Sequence, residues 1–319
     1  MSEPVFRLGL IGAGRMGRTH LRALEGSTTV AVTAVADPVE ATRQAMAQSG
    51  LAVFADVPEL LAAGNVDGVL IAAPTDMHIE LVTQVAAAGL PILCEKPCGL
   101  SSAGIRDAQK AVERHGVPFQ VAYWRRYVPP LQALRQRIER GELGEVHLFA
   151  SFQWDDVPPS AAFRARSGGI FRDMGVHEFD QVRWLSGQDF GELSVVPGPP
   201  SADPEDVSGD VDSAQALAPL SGGSTAIVSL GRYFHSGDMA RIEVFGTRDA
   251  VRCDFLDPKD GVRAQLDALV RQAEGFAAFV RGGPLTGASI DDAVAALDAA
   301  ERAAAAMQRL RPPATSGAP

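Results

Sequence analysis

A glycine-rich turn near the start of the 319-residue chain constrains its fold more than any other feature. A β-prone run, Phe6–Ile11, leads directly into Gly12-Ala13-Gly14-Arg15-Met16-Gly17, and a helix is predicted over residues 18–24. In this order the first glycine allows a tight turn, the second lets the backbone approach a pyrophosphate, and the third lets helix pack on strand. The N–H groups at the helix start then face the phosphates. The sequence therefore predicts a dinucleotide-binding Rossmann domain.

The second predicted strand, Val30–Ala36, ends at an acidic residue. Asp37 follows Gly17 by 20 residues, close to the ~20 expected for the carboxylate that binds the adenosine ribose. A carboxylate there accepts hydrogen bonds from both ribose hydroxyls and repels a 2′-phosphate, and Pro38 and Val39 supply no positive charge. NAD is therefore favoured over NADP, although an Asp before a Pro at a strand end is also a common turn.

Strand and helix patterns alternate along the next part of the chain. Four more strands are expected, at residues 52–54, 66–73, 91–94 and 118–122. Helices are predicted at residues 39–50, 58–63, 78–89 and 101–115. This alternation is typical of a doubly wound parallel sheet with helices on both faces. The fold class predicted for residues 1–122 is therefore α/β.

Two turns are expected at the carboxyl ends of these strands, where ligands of open α/β sheets bind. The first reads Pro74-Thr75-Asp76-Met77-His78, and the second reads Glu95-Lys96-Pro97. A cation beside the nicotinamide could stabilise a developing alkoxide, which makes Lys96 a candidate for catalysis. Taken alone, His78 is equally well explained as a residue that caps a helix or bonds the backbone, and the tripeptide with Lys96 is better explained as a surface turn.

A different pattern follows residue 122. We predict helices at 130–140 and 290–310, and strands at 145–154, 224–233 and 241–245. Residues 197–212, rich in Pro, Gly and Asp, form a predicted loop, and residues 312–319 a frayed terminus. Residues 123–319 are thus expected to form an α+β domain with an open, mainly antiparallel sheet. Its C-terminal helix is able to pack back on the first domain.

Residues 167–185 carry the densest group of polar side chains. If this segment is helical from about Phe171, then at ~100° per residue Asp173, His177, Asp180 and Trp184 share one face, and apolar side chains take the other. On its own, such a stripe is more often the solvated face of an amphipathic helix. A site here requires a functional partner elsewhere in the chain.

Composition disfavours several classes of protein. The net charge is −10 and no Lys/Arg-rich run is present, so binding to phosphate backbones is not expected. Cys94, Cys98 and Cys253 form an odd set without CxxC spacing, which suggests neither a disulfide framework nor a thiolate metal site. The first residues lack the positive charge of a signal peptide, and no run reaches the ~18 apolar residues of a membrane span. We expect a cytoplasmic protein that binds neither nucleic acid nor membrane.

Taken together, these motifs resemble the Gfo/Idh/MocA family of nicotinamide-dependent sugar and cyclitol oxidoreductases, along nearly the whole chain. The inositol 2-dehydrogenase branch is the most similar, through the motifs CEKP (94–97), WRRY (124–127), GELGEVHL (141–148) and GGIFRDMGVHEFD (168–180). The last motif is long and specific, whereas the glycine turn is shared by many unrelated dehydrogenases. Tyr123, Tyr127 and Tyr233 are the only tyrosines, fewer than inositol-type members usually carry.

The resemblance implies a Rossmann domain followed by an α+β domain, with the active site between them. It also implies a homodimer or homotetramer, because the open sheet commonly makes subunit contacts. The catalytic set that it carries over is Lys96, Asp173 and His177. A histidine, with an ordinary pKa of ~6.5, suits abstraction of a hydroxyl proton. We assign His177 as the base, Asp173 as its orienting or substrate-binding carboxylate, and Lys96 as the group that stabilises the alkoxide.

The predicted site contains two overlapping groups of residues. The cofactor NAD would contact the glycine turn, the end of the second strand and both later turns, through Gly12, Gly14, Arg15, Met16, Gly17, Asp37, Pro74, Thr75, His78, Glu95 and Lys96. A polyol or sugar substrate would contact Lys96, Arg125, Asp155, Asp173, His177, Asp180, Tyr233 and His235. A polyol is recognised by several hydrogen bonds that the wrong epimer leaves unmade.

Other functions stay open on the sequence. The same fold could use transient oxidation by NAD to drive another sugar reaction, or serve as a non-catalytic NAD-binding sensor. An Asp/His/Asp face could also hold a hydrolytic metal ion, which would predict sensitivity to chelators. We predict an NAD-dependent dehydrogenase of a cyclitol or cyclic sugar, with no metal.

Overall fold

Two six-stranded sheets organise residues 3–310, the part of the chain that the structure, a computed structural model, describes. The terminus predicted at residues 312–319 lies outside the described residues. The described chain forms two units, residues 3–129 with 262–294 and residues 130–261 with 295–310. The sequence predicts a division after residue 122 and a C-terminal helix able to pack back on the first domain, but it does not anticipate that residues 262–289 belong with the first unit.

The first unit is built on a parallel sheet. Its strands are β1 (Phe6–Ile11), β2 (Val30–Ala36), β3 (Ala52–Phe54), β4 (Gly68–Ile71), β5 (Ile92–Cys94) and β6 (Phe119–Val121). The strand order is β3-β2-β1-β4-β5-β6, and every neighbouring pair is parallel. The chain order reverses between β1 and β4, and dinucleotides bind in the crevice at such a switch point. The predicted doubly wound α/β domain is confirmed.

Helices connect these strands and cover the sheet. They are α1 (Arg15–Leu24), α2 (Glu40–Gln48), α3 (Val57–Ala62), α4 (His78–Ala87) and α5 (Ser102–His115). Because both faces of a parallel sheet are covered, its strands are apolar almost throughout, as β1 and β4 are. Local signals fix the helix ends: the Ser101 hydroxyl accepts the Gly104 N–H at 3.1 Å before α5, and Gly116 follows it with φ 62°.

The second unit contains a mainly antiparallel sheet, as predicted. After α6 (Pro129–Glu139), its strands are β7 (Val146–Trp154), β8 (Ser194–Pro197), β9 (Ser213–Pro219), β10 (Thr225–Gly231), β11 (Met239–Gly246) and β12 (Ala250–Leu256). The order is β12-β11-β7-β10-β9-β8, and β7 with β10 is the parallel pair. The sequence missed β8, β9 and β12, because short, alanine-rich or charged segments have low strand propensity and depend on their neighbours.

One face of this sheet is covered by a helix. Between β7 and β8 lie α7 (Ala161–Ser167) and α8 (Val176–Ser186). The Ser151 hydroxyl of β7 is bound between two α8 side chains, because it donates to the Glu178 carboxylate and accepts from Gln181 Nε2 at 3.1 Å. All three residues are buried. Helix and sheet are therefore joined by a satisfied polar cluster as well as by apolar packing.

The chain returns to the first unit after β12. Helix α9 (Gly261–Val280) places Phe276 in the core of that unit, with its ring centroid 6.0 Å from that of Phe6 in a T-shaped arrangement. The N–H of Val121 in β6 donates to Ala288 O at 2.9 Å, just before α10 (Ile290–Leu310). The sequence predicted α10 but not α9.

None of the helices in residues 3–310 combines the length and the apolar character that crossing a membrane requires.

Candidate functional site

The turn after β1 approaches the end of β4 very closely. Gly12 has φ 89°, and a Cβ added to it would lie 2.8 Å from the backbone N and Cα of Ala73, so only glycine fits. Its N–H donates to Ala36 O at 2.9 Å. At Gly17 an added Cβ would collide with the carbonyl oxygen of Gly12. These two glycines therefore set the turn and the packing of α1 on β1.

The start of α1 has the form expected of a pyrophosphate site. Gly14 precedes the helix, and a Cβ added to it would meet no atom of the described residues within 4 Å. The first turn carries no acidic side chain. Arg15 is exposed and Met16 is half-buried at the first two helical positions. Open space beside uncapped N–H groups fits the phosphates of NAD.

Asp37 connects the glycine turn with the end of β2. Its carboxylate is buried, and it accepts the Ala13 N–H at 2.9 Å through Oδ2 and the Val39 N–H at 2.9 Å through Oδ1. A carboxylate offers about four lone-pair positions, so two backbone bonds leave capacity for ribose hydroxyls. The sequence missed a cation here: Arg43 Nη1 donates to the carbonyl oxygens of Asp37 and Pro38, both at 2.8 Å.

A buried histidine joins the two later turns. Pro74 and Thr75 lead through a short 3₁₀ turn to His78, the first residue of α4. Its Nδ1 lies 2.9 Å from Pro97 O and its Nε2 lies 2.8 Å from Ala73 O. Burial lowers the pKa of His78 despite these two carbonyls. Both ring nitrogens face backbone carbonyl groups, so His78 connects the two turns structurally. Its direct contact with a cofactor stays a prediction.

Glu95 faces protein partners with both carboxylate oxygens. It is buried, with Oε1 2.6 Å from His20 Nε2 and Oε2 accepting the Lys96 N–H at 3.1 Å. Burial opposes ionisation of this carboxyl, but the hydrogen bond and charge of His20 and the charge of Lys96 outweigh it and lower the pKa of Glu95. Lys96 itself is half-buried at the end of β5.

The WRRY motif forms a short 3₁₀ turn at the end of the first unit's sheet. Arg125, a predicted substrate residue, is 3% exposed. The Tyr127 hydroxyl is bonded to Gln120 Oε1 and Thr286 Oγ1, both at 3.1 Å, and burial raises the pKa of Tyr127. Tyr127 therefore has a structural role in the first unit.

The segment with the catalytic candidates is not a regular α-helix from Phe171. Gly168 and Gly169 have φ 81° and 88°, and a π-helical turn, Phe171–Gly175, precedes α8. The turn moves Asp173 out of the register of α8, because a π turn accommodates an extra residue. The polar stripe is also not a solvated face, since His177 is 7% and Asp180 2% exposed.

Asp173 is held by a fully buried arginine, which was not identified from the sequence. Arg232 follows β10, and its Nη1 lies 3.0 Å from Asp173 Oδ2 and 3.7 Å from Asp155 Oδ2. Asp155 also accepts a hydrogen bond from Gln153 Nε2 at 3.0 Å. Burial raises the pKa of Asp155, and the negative charges of Asp238 and Asp173 add to this effect. The hydrogen bond from Gln153 and the charge of Arg232 act in the opposite direction. The sequence feature that could have identified Arg232 is its position directly after an apolar strand.

The predicted loop at residues 197–212 is attached to the same charges. Asp210 Oδ1 accepts the Ile170 N–H at 2.9 Å, and its Oδ2 lies 3.7 Å from both Arg164 Nη1 and Arg232 Nη2. Arg164 Nη2 is 2.5 Å from Asp212 Oδ1. Buried ion pairs therefore connect this loop with Asp173.

Two further predicted substrate residues follow Arg232. Tyr233 and His235 are exposed, and their ring centroids are 6.1 Å apart. In the second unit the structure thus brings Asp155 and Asp173 together through one guanidinium and leaves Tyr233 and His235 at the surface. Within residues 3–310 no group of three or more His, Cys, Asp and Glu side chains could hold a metal ion.

Comparison with known families accounts for both units. Residues 6–123 match the Gfo/Idh/MocA model described as an oxidoreductase family with an NAD-binding Rossmann fold. Residues 131–252 match the model of the Gfo/Idh/MocA C-terminal domain.

Individual proteins are similar over almost the whole chain. Rhizopine catabolism protein MocA of Rhizobium meliloti is 47% identical over 304 residues, with coverage of 95% of this chain and 96% of that protein. Inositol 2-dehydrogenase of Rhizobium meliloti (strain 1021) is 32% identical over 324 residues, with coverage of 95% and 98%. The crystal structure of a candidate myo-inositol dehydrogenase from Sinorhizobium meliloti 1021 superposes with a TM-score of 0.89 at 32% identity, with coverage of 96% and 98%.

We expect Asp37→Ala to relax the preference for NAD. The variant removes the charge that opposes a 2′-phosphate and leaves Arg43 in place, so the ratio of NADP to NAD affinity should rise roughly tenfold, or about 1.4 kcal/mol. Calorimetric titration with each dinucleotide measures the ratio. Adding Arg43→Ala should remove most of the gain. An unchanged ratio in Asp37→Ala would show that this carboxylate does not contact the ribose.

Arg232→Met should destabilise the second unit. It leaves the Asp173 and Asp155 carboxylates without their shared cation, and breaking such a buried pair lowers the free energy of unfolding by about 3 kcal/mol or more. Urea unfolding followed by tryptophan fluorescence measures the change, because Trp154 and Trp184 lie in this unit. The matched control is Arg183→Met, whose partner Asp189 is 71% exposed and which should cost ~1 kcal/mol at most. Equal losses of unfolding free energy in Arg232→Met and Arg183→Met would contradict the role of Arg232 as the buried partner of both carboxylates.

Proposed function

Since the chain belongs to the Gfo/Idh/MocA family of NAD-binding oxidoreductases, we propose that it oxidises a secondary alcohol of a cyclitol or cyclic sugar. The observation that carries this proposal is the pairing of buried Arg232 with Asp173, four residues before His177, in the motif predicted to be catalytic. The similarity to an inositol 2-dehydrogenase supports a cyclitol as substrate.

The residues of the chain would divide the chemistry. NAD, when bound, supplies the hydride acceptor. His177 takes the proton of the reacting hydroxyl, as an imidazole can near neutral pH. Asp173, oriented by Arg232 Nη1 at 3.0 Å, orients His177 or a substrate hydroxyl. Lys96 stabilises the developing alkoxide by its positive charge.

The other predicted contacts concern recognition. Arg125, Asp155 and Asp180 would bind further hydroxyls, and their burial or near-burial favours discrimination, because an unmade hydrogen bond to a buried group is costly. Tyr233 and His235, being exposed, would act at the edge of the substrate site. In the cofactor site we assign Gly12, Gly14 and Gly17 to shape and Asp37 to the ribose.

A second substrate is favoured by the most similar of the proteins described above. The relative at 47% identity is named for the catabolism of rhizopine, so rhizopine belongs in the test beside the inositols. The chemistry assigned to His177, Asp173 and Lys96 is unchanged for any substrate with an oxidisable secondary alcohol.

The decisive experiment is an NADH-absorbance screen of inositol isomers, cyclic sugars and rhizopine, with NAD and NADP in parallel. We expect net NADH formation with at least one cyclitol or with rhizopine, and a preference for NAD. Turnover of a sugar without net NADH would instead support transient oxidation. Binding of NAD without turnover of any compound would support a sensor.

His177→Ala should lower kcat far more than it lowers NAD affinity. Loss of a general base reduces the rate by roughly 10²–10⁴-fold, whereas the dissociation constant of NAD should change by about twofold or less. Steady-state kinetics and calorimetry measure the two quantities. His147→Ala, on an exposed position of β7, is the control and should leave both unchanged. Equal losses of kcat and NAD affinity would contradict the role of His177.

A homo-oligomer through the second sheet remains our proposal for its assembly. The face of the sheet opposite α8 carries Leu148, Leu217, Ile227 and Phe245, which lie on one side by their strand register. Leu217 is 48% and Phe245 42% exposed. By the same register this face also carries Arg241 and Glu243, and exposed apolar side chains bordered by polar ones are typical of protein interfaces. A cytoplasmic location also remains a prediction, supported by three free cysteines.

Leu217→Glu should shift the protein to smaller oligomers. A charge buried at an apolar interface is strongly disfavoured, so the mass measured by sedimentation velocity should fall to that of a monomer or dimer. Val262→Glu, at a position of α9 that is 62% exposed, should leave the mass unchanged. An unaltered mass for Leu217→Glu would place the interface elsewhere.

A further inference from the structure

A short buried bond connects the dinucleotide-binding helix with the turn that carries Lys96. His20 lies on the inner side of α1, with Nε2 2.6 Å from Glu95 Oε1, and the two side chains are 1% and 5% exposed. Nδ1 of the same ring has no hydrogen-bond partner among the described residues. The polar attachment of this ring in the described chain is therefore to Glu95.

Glu95 passes this attachment on to its neighbour in the chain. Its second oxygen accepts the backbone N–H of Lys96 at 3.1 Å, and its own N–H donates to Ile71 O at 2.9 Å. The carboxylate is thus clamped between α1 and the first peptide of the turn. Rotation of the Glu95 side chain would release the Lys96 backbone.

We propose that His20 is a positioning residue for Lys96, acting through the carboxylate of Glu95. The proposal rests on the proposed function, because it concerns the lysine assigned to stabilise the alkoxide. In this arrangement the contact with His20 Nε2 holds the Glu95 carboxylate against the backbone N–H of Lys96, and this fixes the point from which the Lys96 side chain extends.

The charges around Glu95 support a pH effect. The groups that interact with it are His20 from α1, Cys94 from β5, Lys96 from its own turn and His78 from α4. Burial favours the neutral carboxyl, and His20 is the largest influence that opposes burial and lowers the pKa of Glu95. Without His20 the pKa of Glu95 should rise, so the carboxylate should lose its charge at a higher pH. Activity that depends on the charged Glu95 carboxylate should then be lost at a higher pH, so the acidic limb of the pH profile should move to higher pH.

Lysine NMR tests the proposal without any substrate. The chain has three lysines, Lys96, Lys110 and Lys259, so ¹³C-lysine labelling gives three Cε signals, assigned with Lys110→Arg and Lys259→Arg. In the full-length protein, His20→Leu should shift the Lys96 signal and its pH titration. The Lys110 signal should stay in place, because that side chain is 69% exposed and pairs with Asp107. A Lys96 signal identical to that of the native protein would overturn the proposal.

Kinetics separates positioning from general damage. His20→Leu should lower kcat roughly tenfold or more, the scale of a lost hydrogen bond to a charged group, and shift the acidic limb of the kcat profile to higher pH. His20→Gln keeps an N–H donor near the position of Nε2 and should restore kcat to within about threefold and return the limb. Leu24→Ala, at a buried position of the same helix, should reduce stability without moving the pH profile.

The two proposals fail in different ways. If the native protein oxidises none of the screened compounds but His20→Leu still moves the Lys96 signal, the proposed function fails and the positioning stands. If the native protein is active and both His20 variants keep its kcat and pH profile, the positioning fails. A limb that moves equally in His20→Leu and Leu24→Ala would also overturn it.

Discussion

The first unit depends on the close approach of two backbones, that of the turn after β1 and that of the end of β4. At Gly12 one added carbon would lie 2.8 Å from the backbone of Ala73. Three side chains connect the turns that follow the strands near Gly12. Asp37 binds the glycine turn, His78 joins the two later turns, and His20 joins α1 to Glu95. The cofactor edge of the sheet is therefore fixed by hydrogen bonds between turns that are distant in sequence.

The second unit fixes its polar site with buried charge. Arg164 and Arg232 are each 1% exposed and face the carboxylates of Asp155, Asp173, Asp206, Asp210 and Asp212. Desolvated charges are costly unless they are paired, and burial raises the pKa of Asp155 although Gln153 and Arg232 oppose it. Titratable groups perturbed in this way concentrate at functional sites. The same charges connect the loop at residues 197–212 with Asp173.

Much of the fold could be predicted from local signals. Strands β1 and β2 have the predicted bounds, because buried parallel strands are continuous apolar runs, and Asp37 was found by its spacing from Gly17. The π turn before α8 could not be predicted, since periodicity assumes one helical pitch. Helix α9 was missed although its apolar residues recur at helical spacing. Its packing with strands more than 100 residues earlier could not be predicted from local pattern. Arg232 and His20 were missed because their partners are remote in sequence, although Gly17, three residues before His20, marks the inner face of α1.

The sequence by itself determined the fold class, the glycine turn, Asp37 as the candidate ribose ligand and the motif that contains Asp173 and His177. These depend on spacing along the chain, which the sequence displays directly. Only the tertiary structure decided that the polar stripe of α8 is buried, that Arg232 holds Asp173, and that His20 and Glu95 fix the backbone of Lys96. The physical reason is that hydrogen bonds and ion pairs between remote residues form according to distance in space, which neither propensity nor periodicity records.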